Sequence, residues 1–400
     1  MDRRGGGVRR GDPGSRAGGP GRGSLRGRGP ADRSRARCLP TPADRPRASA
    51  RSPVRAGEAR QRRRHDRRRG SCRPGRPVST RLAIGIDIGG TKVAGGVVDA
   101  DGKVSHRARR DTPSRSKSPS VVEGTIVEVV TELMQLAGPE SVAAVGIGAA
   151  GFVAADRATV VFAPHLSWRH EPLRDALQKR VPVPIFVDND ANAAAWAEWK
   201  FGAARGETHV MMITLGTGIG GGILIDGQVQ RGRFGIAGEF GHMQVVPGGH
   251  RCECGNRGCW EQYASGNALV REAHSLFSAN SPIASDLLDA VEGVVDNLTG
   301  PLITQAARDG DPTARELLAE IGHWLGIGIA NLAAAFDPGM FVIGGGVSAA
   351  GDLLLASARE TFKRHLAGRG YRPEARIVAA RLGNDAGLIG AADLARHSAG

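Results

Sequence analysis

The fold is decided by a stretch that occurs twice, first as Ile84-Gly-Ile-Asp87-Ile-Gly-Gly-Thr-Lys92-Val93 and again as Val210-Met-Met-Ile-Thr-Leu215-Gly-Thr-Gly-Ile-Gly220-Gly-Gly222. Each copy predicts a strand, a glycine turn and a second strand, and an Asp-Gly pair typical of a hairpin turn follows. Glycines let backbone amides approach phosphate oxygens closely, so both turns are candidate phosphate sites. Because the turns join strand to strand, neither is a Walker A loop or a dinucleotide fingerprint. The repetition indicates two related lobes.

The rest of the globular part alternates strands with helices, which predicts an α/β fold with mixed sheets. A third glycine turn, Gly344-Gly345-Gly346, follows a buried strand and could form the floor of a nucleotide site, although such turns are common between a strand and a helix. Apolar spacing and turn residues predict helices over 120–137, 191–200, 314–336 and 352–365, and strands over 142–147, 184–187 and 340–343.

The strongest chemical signal is Glu239-Phe-Gly-His242 followed by Cys252-Glu-Cys254-Gly-Asn-Arg-Gly-Cys259-Trp-Glu261. Three thiols and one imidazole form a closed set of four zinc ligands, which indicates a structural zinc rather than a catalytic one. The other reading is three incidental cysteines. The second ring nitrogen of a zinc-bound histidine usually donates a hydrogen bond, and a sugar hydroxyl is a suitable acceptor here.

A cluster of polar residues, Asp188-Asn189-Asp190-Ala-Asn192, lies where a predicted strand ends and a helix begins. One aspartate there is typical of a helix cap, but two acids and two amides exceed what capping requires. The second carboxylate could accept a proton from an attacking hydroxyl. Asp87 could hold a magnesium ion that bridges phosphates, and Thr91 adds a hydroxyl donor. These motifs together indicate a sugar kinase.

Charge is distributed unevenly along the 400 residues. The chain carries 54 basic and 40 acidic residues, of which residues 1–80 hold 24 arginines and 6 acids, leaving 30 and 34 for the rest, a net charge of −4. Residues 1–80 are rich in Arg, Gly and Pro and predict a disordered tail. We expect either an arginine-rich binding arm or a start-site artefact with the true start near Val78; a transit peptide fits less well.

The chain resembles the ROK family over roughly 82–400, with the actinobacterial glucokinase group nearest in pattern. Three motifs carry the resemblance: Asp87-Ile-Gly-Gly-Thr-Lys92, Glu239-Phe-Gly-His242 and Cys254-Gly-x-x-Gly-Cys259-x-Glu261. The resemblance implies two actin-like, ribonuclease H-like lobes with a cleft between them and the structural zinc in the larger lobe. The boundaries expected are a small lobe over 81–190, joined by a C-terminal helix over 386–398, and a large lobe over 191–385.

The family's functional residues transfer to matching positions here. The resemblance implies that Asp190 is the base that activates the sugar 6-hydroxyl. It implies sugar contacts from Asn189, Glu239, His242 and Glu261, zinc ligation by His242, Cys252, Cys254 and Cys259, and nucleotide contacts from Gly89, Gly90, Thr91, Lys92, Thr217, Gly218, Gly344, Gly345 and Gly346. Two departures lie near the sugar: Pro164-His165-Leu166 where many members have Pro-Asn-Leu, and Gly148-Ala-Ala-Gly151 where many have a proline.

The expected function is ATP-dependent phosphorylation of glucose at the 6-hydroxyl, with Mg²⁺ and a structural zinc. Kinases for another hexose or an N-acetylhexosamine, and polyphosphate as donor, remain alternatives. A sugar-sensing repressor is a further alternative, but the first eighty residues carry no recognition-helix pattern. We expect a cytoplasmic homo-oligomer, a dimer or tetramer, with no membrane span and no nucleic-acid contact except through the tail.

Overall fold

A computed structural model describes residues 81–279 and 281–399. The prediction for the tail, residues 1–80, lies outside the described residues. The strands are β1 (Leu82–Ile88), β2 (Lys92–Val98), β3 (Val104–Asp111), β4 (Val142–Ala149), β5 (Phe152–Val153), β6 (Val160–Phe162), β7 (Arg169–Glu171), β8 (Ile185–Asn189), β9 (His209–Leu215), β10 (Ile219–Ile225), β11 (Gln228–Val229), β12 (Met340–Gly344) and β13 (Arg376–Ala379).

Ten α-helices are found in the described ranges. They are α1 (Pro119–Ala137), α2 (Leu173–Gln178), α3 (Asp190–Lys200), α4 (Glu261–Ala264), α5 (Gly266–Ser278), α6 (Ser285–Asp289), α7 (Gly300–Asp309), α8 (Pro312–Phe336), α9 (Asp352–His365) and α10 (Ala386–Ala399). Short 3₁₀ helices cover Pro139–Ser141, Phe240–His242, Pro282–Ala284, Val295–Asn297, Gly346–Ala350 and Gly383–Asp385.

Two five-stranded mixed sheets have the same internal order. The first runs β3-β2-β1-β4-β8 and the second β11-β10-β9-β12-β13, so in each the first strand lies between its hairpin partner and a parallel strand. In the first sheet β1 is antiparallel to β2 and parallel to β4; in the second β9 is antiparallel to β10 and parallel to β12. Both predicted glycine-turn hairpins are therefore confirmed. A third, three-stranded sheet, β5-β6-β7, was not predicted.

The long apolar helix α8 packs in the core of the second sheet. Its buried side chains include Leu318, Leu325 and Ile329, each with no exposed surface, and they cluster with Phe341 and Ile343 of β12. By length and composition alone α8 is apolar enough to cross a membrane, but 61% of its most apolar window is buried inside the fold. The helix ends before Asp337, whose left-handed backbone and following Pro338 form the predicted stop.

The C-terminal helix α10 lies on the first sheet at very short range. A methyl group at Gly85 of β1 would collide with the carbonyl oxygen of Leu388, and one at Gly146 of β4 with that of Ala391. Only glycine admits this approach. The buried pair Asp393 and Arg396 fastens the helix further, since Arg396 Nη1 donates to Asp393 Oδ1 at 2.7 Å and its Nη2 donates to the Val98 carbonyl at 2.6 Å.

The close approach yields a stability prediction. Gly146→Ala should lower the free energy of unfolding by at least about 2 kcal/mol, because the added methyl meets backbone that cannot move aside. Urea denaturation monitored by circular dichroism measures the change. The matched control is Gly124→Ala inside α1, where a methyl meets no atom within 4 Å. That variant should gain about 0.5–1 kcal/mol, the helix propensity of alanine over glycine. Equal stability of the two variants would contradict the packing described.

Candidate active site

A cavity of about 380 Å³ opens between the second glycine turn and the residues that flank the first, Asp87 and Lys92. Ten of the residues singled out in the sequence line it, from both sheets and from the loop that carries the cysteines. They are Asp87, Lys92, Asn189, Asp190, Thr217, Gly218, Glu239, His242, Glu261 and Gly345. The sequence motifs, which span 259 positions from Asp87 to Gly345, thus come together around one space.

The two glycine turns share a construction. The Gly89 amide donates to the Lys92 carbonyl at 3.0 Å in the first turn, and the Gly216 amide donates to the Gly218 carbonyl at 3.0 Å in the second. At the tips, Gly90 and Thr217 are exposed residues, and their amides make no hydrogen bond within the part of the chain that the structure describes. Amides left free in this way are suited to oxygens of a bound anion.

The two aspartates at the start of α3 have different surroundings. Asp188 is buried and held by Arg231, whose Nε lies 3.0 Å from Oδ2, and by Arg157, whose Nη2 lies 3.3 Å from the same oxygen. Asp190 lines the cavity, and among the described side chains no cation pairs with it; its Oδ1 accepts from the Ala191 amide at 2.9 Å. Asp188 is therefore neutralised inside the fold, and Asp190 is the carboxylate available for chemistry.

Asn189, between the two acids, caps helix α3. Its Oδ1 accepts from the Asn192 amide at 3.0 Å, and its Nδ2 donates to the Gly151 carbonyl at 3.1 Å. The side-chain oxygen is thus committed to the cap, while the second hydrogen on Nδ2 stays free to donate into the cavity. The capping function that the sequence suggested for an aspartate belongs to this asparagine.

Burial raises the pKa of three acids around the cavity, and for two of them neighbouring carboxylates add to the rise. Burial raises the pKa of Asp190 to about 7, and the neighbouring Asp87 adds to the rise. Burial also raises the pKa of Asp87 to about 6, against the opposing charge of Lys92. The pKa of Glu239 is raised to about 7 by burial, with contributions from Asp190 and Glu261. A carboxylate with a pKa near neutrality is suited to accept a proton.

The predicted zinc ligands meet in one cluster. The donor atoms of His242, Cys252, Cys254 and Cys259 all lie within 4.8 Å of one another. The Cys254 and Cys259 sulfurs are 3.6 Å apart, and the Cys252 sulfur is 3.6 Å from His242 Nδ1. Zinc bonds of about 2.0–2.3 Å in a tetrahedron place ligands roughly 3.3–3.8 Å apart, so these residues fit a zinc ion.

The cysteine loop is anchored on both sides of the cluster. Trp260, which has no exposed surface, donates from Nε1 to the Trp324 carbonyl of α8 at 2.8 Å. At the start of α5 the Gly266 amide donates to the Gly216 carbonyl of the second turn at 2.8 Å. The Glu261 carboxylate lies against Gly218, where a methyl would collide with Oε2. The cluster, the cavity acids and the second glycine turn are therefore one connected unit.

A second cavity of about 550 Å³ adjoins the first. The predicted turn Gly344, Gly345 and Gly346 lines it, and Gly345, Gly383 and Asn384 line both cavities. Gly345 has a φ of 82° and its Cα faces the Leu215 backbone, so a side chain is excluded there. Helix α7 contributes Thr304, Gln305 and Arg308 to the opposite wall.

Several residues at or near the cavities were missed from the sequence. Arg157 and Arg231, the partners of Asp188, lie in loops with no periodic signal that could have paired them with it. Asn384 carries no motif. His165, noted only as a departure from a family pattern, lines the first cavity and packs against Gly90.

Comparisons with known proteins agree on one family. The family model described as ROK family matches residues 83–398. The chain is 49% identical over 318 residues to a glucokinase of Streptomyces coelicolor, covering 79% of this chain and 98% of the relative. It is 34% identical over 321 residues to a glucokinase of Thermotoga maritima, covering 79% and 98%. The crystal structure of a ROK family glucokinase from Streptomyces griseus with glucose and AMPPNP is 51% identical, with a TM-score of 0.73 and coverage of 79% and 99%.

Proposed function

The chain belongs to the ROK family, and we propose that it is an ATP-dependent glucokinase that forms glucose 6-phosphate and ADP. The observation that carries the proposal is Asp190, a cavity carboxylate without a cation partner in the described residues, next to two glycine turns with free amides. The similarity to glucokinases over nearly their whole length supports it. Glucose is the preferred substrate; another hexose, an N-acetylhexosamine or polyphosphate as donor would use the same chemistry.

In the proposed reaction Asp190 accepts the proton of the sugar 6-hydroxyl as the oxygen attacks the γ-phosphorus. The new O–P bond forms while the bond from the γ-phosphorus to the bridging oxygen of ADP breaks, and the electron pair of that bond remains on ADP. A base whose pKa is raised to about 7 by burial and by Asp87 matches this task near neutral pH. Charge on the transferring phosphoryl group is stabilised by the turn amides and Lys92.

Sugar hydroxyls are bound, in this proposal, by residues from the end of β8, from the segment 239–242 and from the start of α4. Asn189 donates its free Nδ2 hydrogen, and the Glu239 and Glu261 carboxylates accept. His242 donates from the ring nitrogen that faces away from the cysteines, since Nδ1 is the atom near Cys252 Sγ. Two acceptors and two donors around one space suit the vicinal hydroxyls of a hexose.

The nucleotide is proposed to span both cavities. Gly89, Gly90, Thr91 and Lys92 of the first turn and Thr217 and Gly218 of the second bind its phosphates. The nucleoside lies on Gly344, Gly345 and Gly346 in the second cavity, and the two cavities meet at Gly345. Asp87 is placed to hold Mg²⁺, which when bound neutralises phosphate charge. Its partly buried carboxylate beside Lys92 fits a hard cation.

The two sheets correspond, in this proposal, to two actin-like lobes, with residues 81–190 and 386–398 in the smaller and 191–385 in the larger. His242, Cys252, Cys254 and Cys259 hold a structural zinc in the larger lobe. Burial raises the pKa of the Cys252 and Cys259 thiols, so a cation at the centre of the cluster is what keeps them as thiolates. The protein is further proposed to act in the cytoplasm as a homo-oligomer.

Asp190→Asn should lower kcat for glucose phosphorylation by about 10²–10⁴ while the KM for glucose changes far less, because only proton acceptance is lost. A coupled spectrophotometric assay measures both. The control is Asp175→Asn, another aspartate in the first turn of a helix but outside the cavity, which should retain normal kinetics. Near-normal kcat in Asp190→Asn would refute the assignment of the base.

Activity should depend on pH in a defined direction. Because Asp190 must be deprotonated and its pKa is raised to about 7, kcat/KM for glucose should rise as pH increases through neutrality and fall tenfold per pH unit well below it. Asp87 and Glu239 face the same cavity, so the apparent value belongs to the group. The residual activity of Asp190→Asn should lack this limb. A flat profile from about pH 6 to 8 would contradict the proposal.

Purified protein should contain about one zinc per chain, as a closed four-ligand site requires. Cys254→Ser should lower the zinc content, the melting temperature and the affinity for glucose, because the cluster also holds His242 and Glu261 in place. Elemental analysis and thermal denaturation measure the first two. His250→Ala serves as the control, since His250 lies in the same loop but outside the four-residue cluster. Full activity of a metal-free preparation would contradict the role of the zinc.

A further inference from the structure

Glu198 near the end of α3 is a fully buried carboxylate that binds only backbone. It has no exposed surface. Its Oε1 accepts from the amides of Arg381 at 2.9 Å and Leu382 at 2.7 Å, and its Oε2 accepts from the Ala203 amide at 2.8 Å. In the described part of the chain no cation pairs with it. A buried charge is costly, and three N–H donors are what compensate for it here.

These hydrogen bonds join the two places where the chain passes between the sheets. Helix α3 follows β8 of the first sheet and leads to β9 of the second. Residues 380–387 follow β13 of the second sheet and lead into α10, which packs on the first. Glu198 lies in the first of these two connections, and it accepts hydrogen bonds from amides of the second. Asp190, the proposed base, is two turns earlier on the same helix.

The segment that Glu198 holds forms part of both cavities. Gly383 and Asn384, directly after Leu382, line the sugar-side cavity and the nucleotide-side cavity. Gly387 lies against the Asp87 carboxylate, where a methyl would be 3.0 Å from Oδ2. Asp385 pairs with Arg107 of β3 at 2.6 Å, an exposed contact that gives little rigidity. The main buried anchor described for residues 381 and 382 is therefore Glu198.

We propose that Glu198 is a positioning residue that fixes the 380–387 segment against α3, so that the nucleotide phosphates are presented to Asp190 at the correct distance. The inference rests on the proposed function, since it assigns the nucleotide to these cavities. A carboxylate is required because two amides converge on one oxygen and a third amide on the other. Glutamine offers one acceptor oxygen, and its NH₂ would face an N–H donor.

The kinetic test is Glu198→Gln with Glu207→Gln as the matched control. Glu207 is also a carboxylate that accepts backbone amides, from Thr208 at 2.9 Å and His209 at 3.4 Å, and it pairs with Arg376 at the opposite end of β13, away from the cavities. Glu198→Gln should lower kcat/KM for ATP roughly 10- to 100-fold, the effect of a small misplacement, with the KM for glucose within about twofold. Glu207→Gln should leave both unchanged. A rise in the KM for glucose as large as the loss in kcat/KM for ATP, or no loss at all, would overturn the proposal.

Hydrogen–deuterium exchange tests the same contact without an activity assay. The amides of Arg381 and Leu382 should exchange slowly in the free wild-type protein and roughly tenfold or more faster in Glu198→Gln, with those of Thr208 and His209 unaffected. Rapid exchange in the wild type overturns the proposal whatever the variant does. If Glu198→Gln does not fold, Glu198→Asp, one methylene shorter with the same charge, replaces it in both tests. A wild type that fails to phosphorylate glucose refutes the proposed function, and the exchange result still decides the role of Glu198.

Discussion

The burial of several carboxylates around one cavity is the constraint on which the rest of the site depends. Asp87, Asp190 and Glu239 face the space from three elements, and burial raises the pKa of each. The proposed donor brings further negative charge to the same place. Glu261 lines the same cavity, whereas Asp188, on the other side of Asn189, is neutralised by Arg157 and Arg231. The groups available to bind phosphates are Lys92 and the free amides of the glycine turns. Because side chains would block these amides, both turns consist mostly of glycine.

The position of Asp190 is fixed by the close packing of α3, whose buried face consists mostly of alanines. Four of the five alanines of α3 have at most 3% of their surface exposed, and glycines of the sheets lie against them. A methyl at Gly222 of β10 would collide with Ala195, and one at Gly390 of α10 would collide with the Ala193 backbone. A helix with larger side chains would move away from these surfaces. Because the facing surfaces also carry small residues, α3 packs closely against β10 and α10. This close packing places its first residue, Asp190, between the two glycine turns.

Local patterns predicted the hairpins and the metal cluster, because each is contained in one short stretch. The repeated strand–turn–strand motif gave both sheets their first two strands, and the four ligands occupy eighteen consecutive residues. The boundaries of α3 differed by one residue, since Asn189 and not an aspartate is the cap. Contacts between distant segments were not predictable in this way. Arg231 pairs with Asp188 across 43 positions and Glu198 binds Leu382 across 184. Sequence periodicity does not predict such pairs. Only the three-dimensional structure therefore showed why Asp188 is paired with arginines and Asp190 is not.

The location of the proposed zinc follows from the same balance of forces. Between β11 and α4 the chain has one short 3₁₀ helix, Phe240–His242, and two isolated bridges, Gln244 with Cys259 and Arg251 with Arg257. The few hydrogen bonds of these short elements offset little of the conformational entropy that is lost when the loop becomes ordered. The loop must nevertheless hold Glu239 and Glu261 near each other and near Asp190, an arrangement that their charges oppose. Four bonds to the proposed zinc would supply the missing free energy in a small volume. Because Gly266 binds Gly216 and Glu261 lies against Gly218, the same bonds also fix the second glycine turn. A zinc ion bound there would set the proposed sugar contacts and one proposed phosphate turn relative to each other, without contacting either substrate.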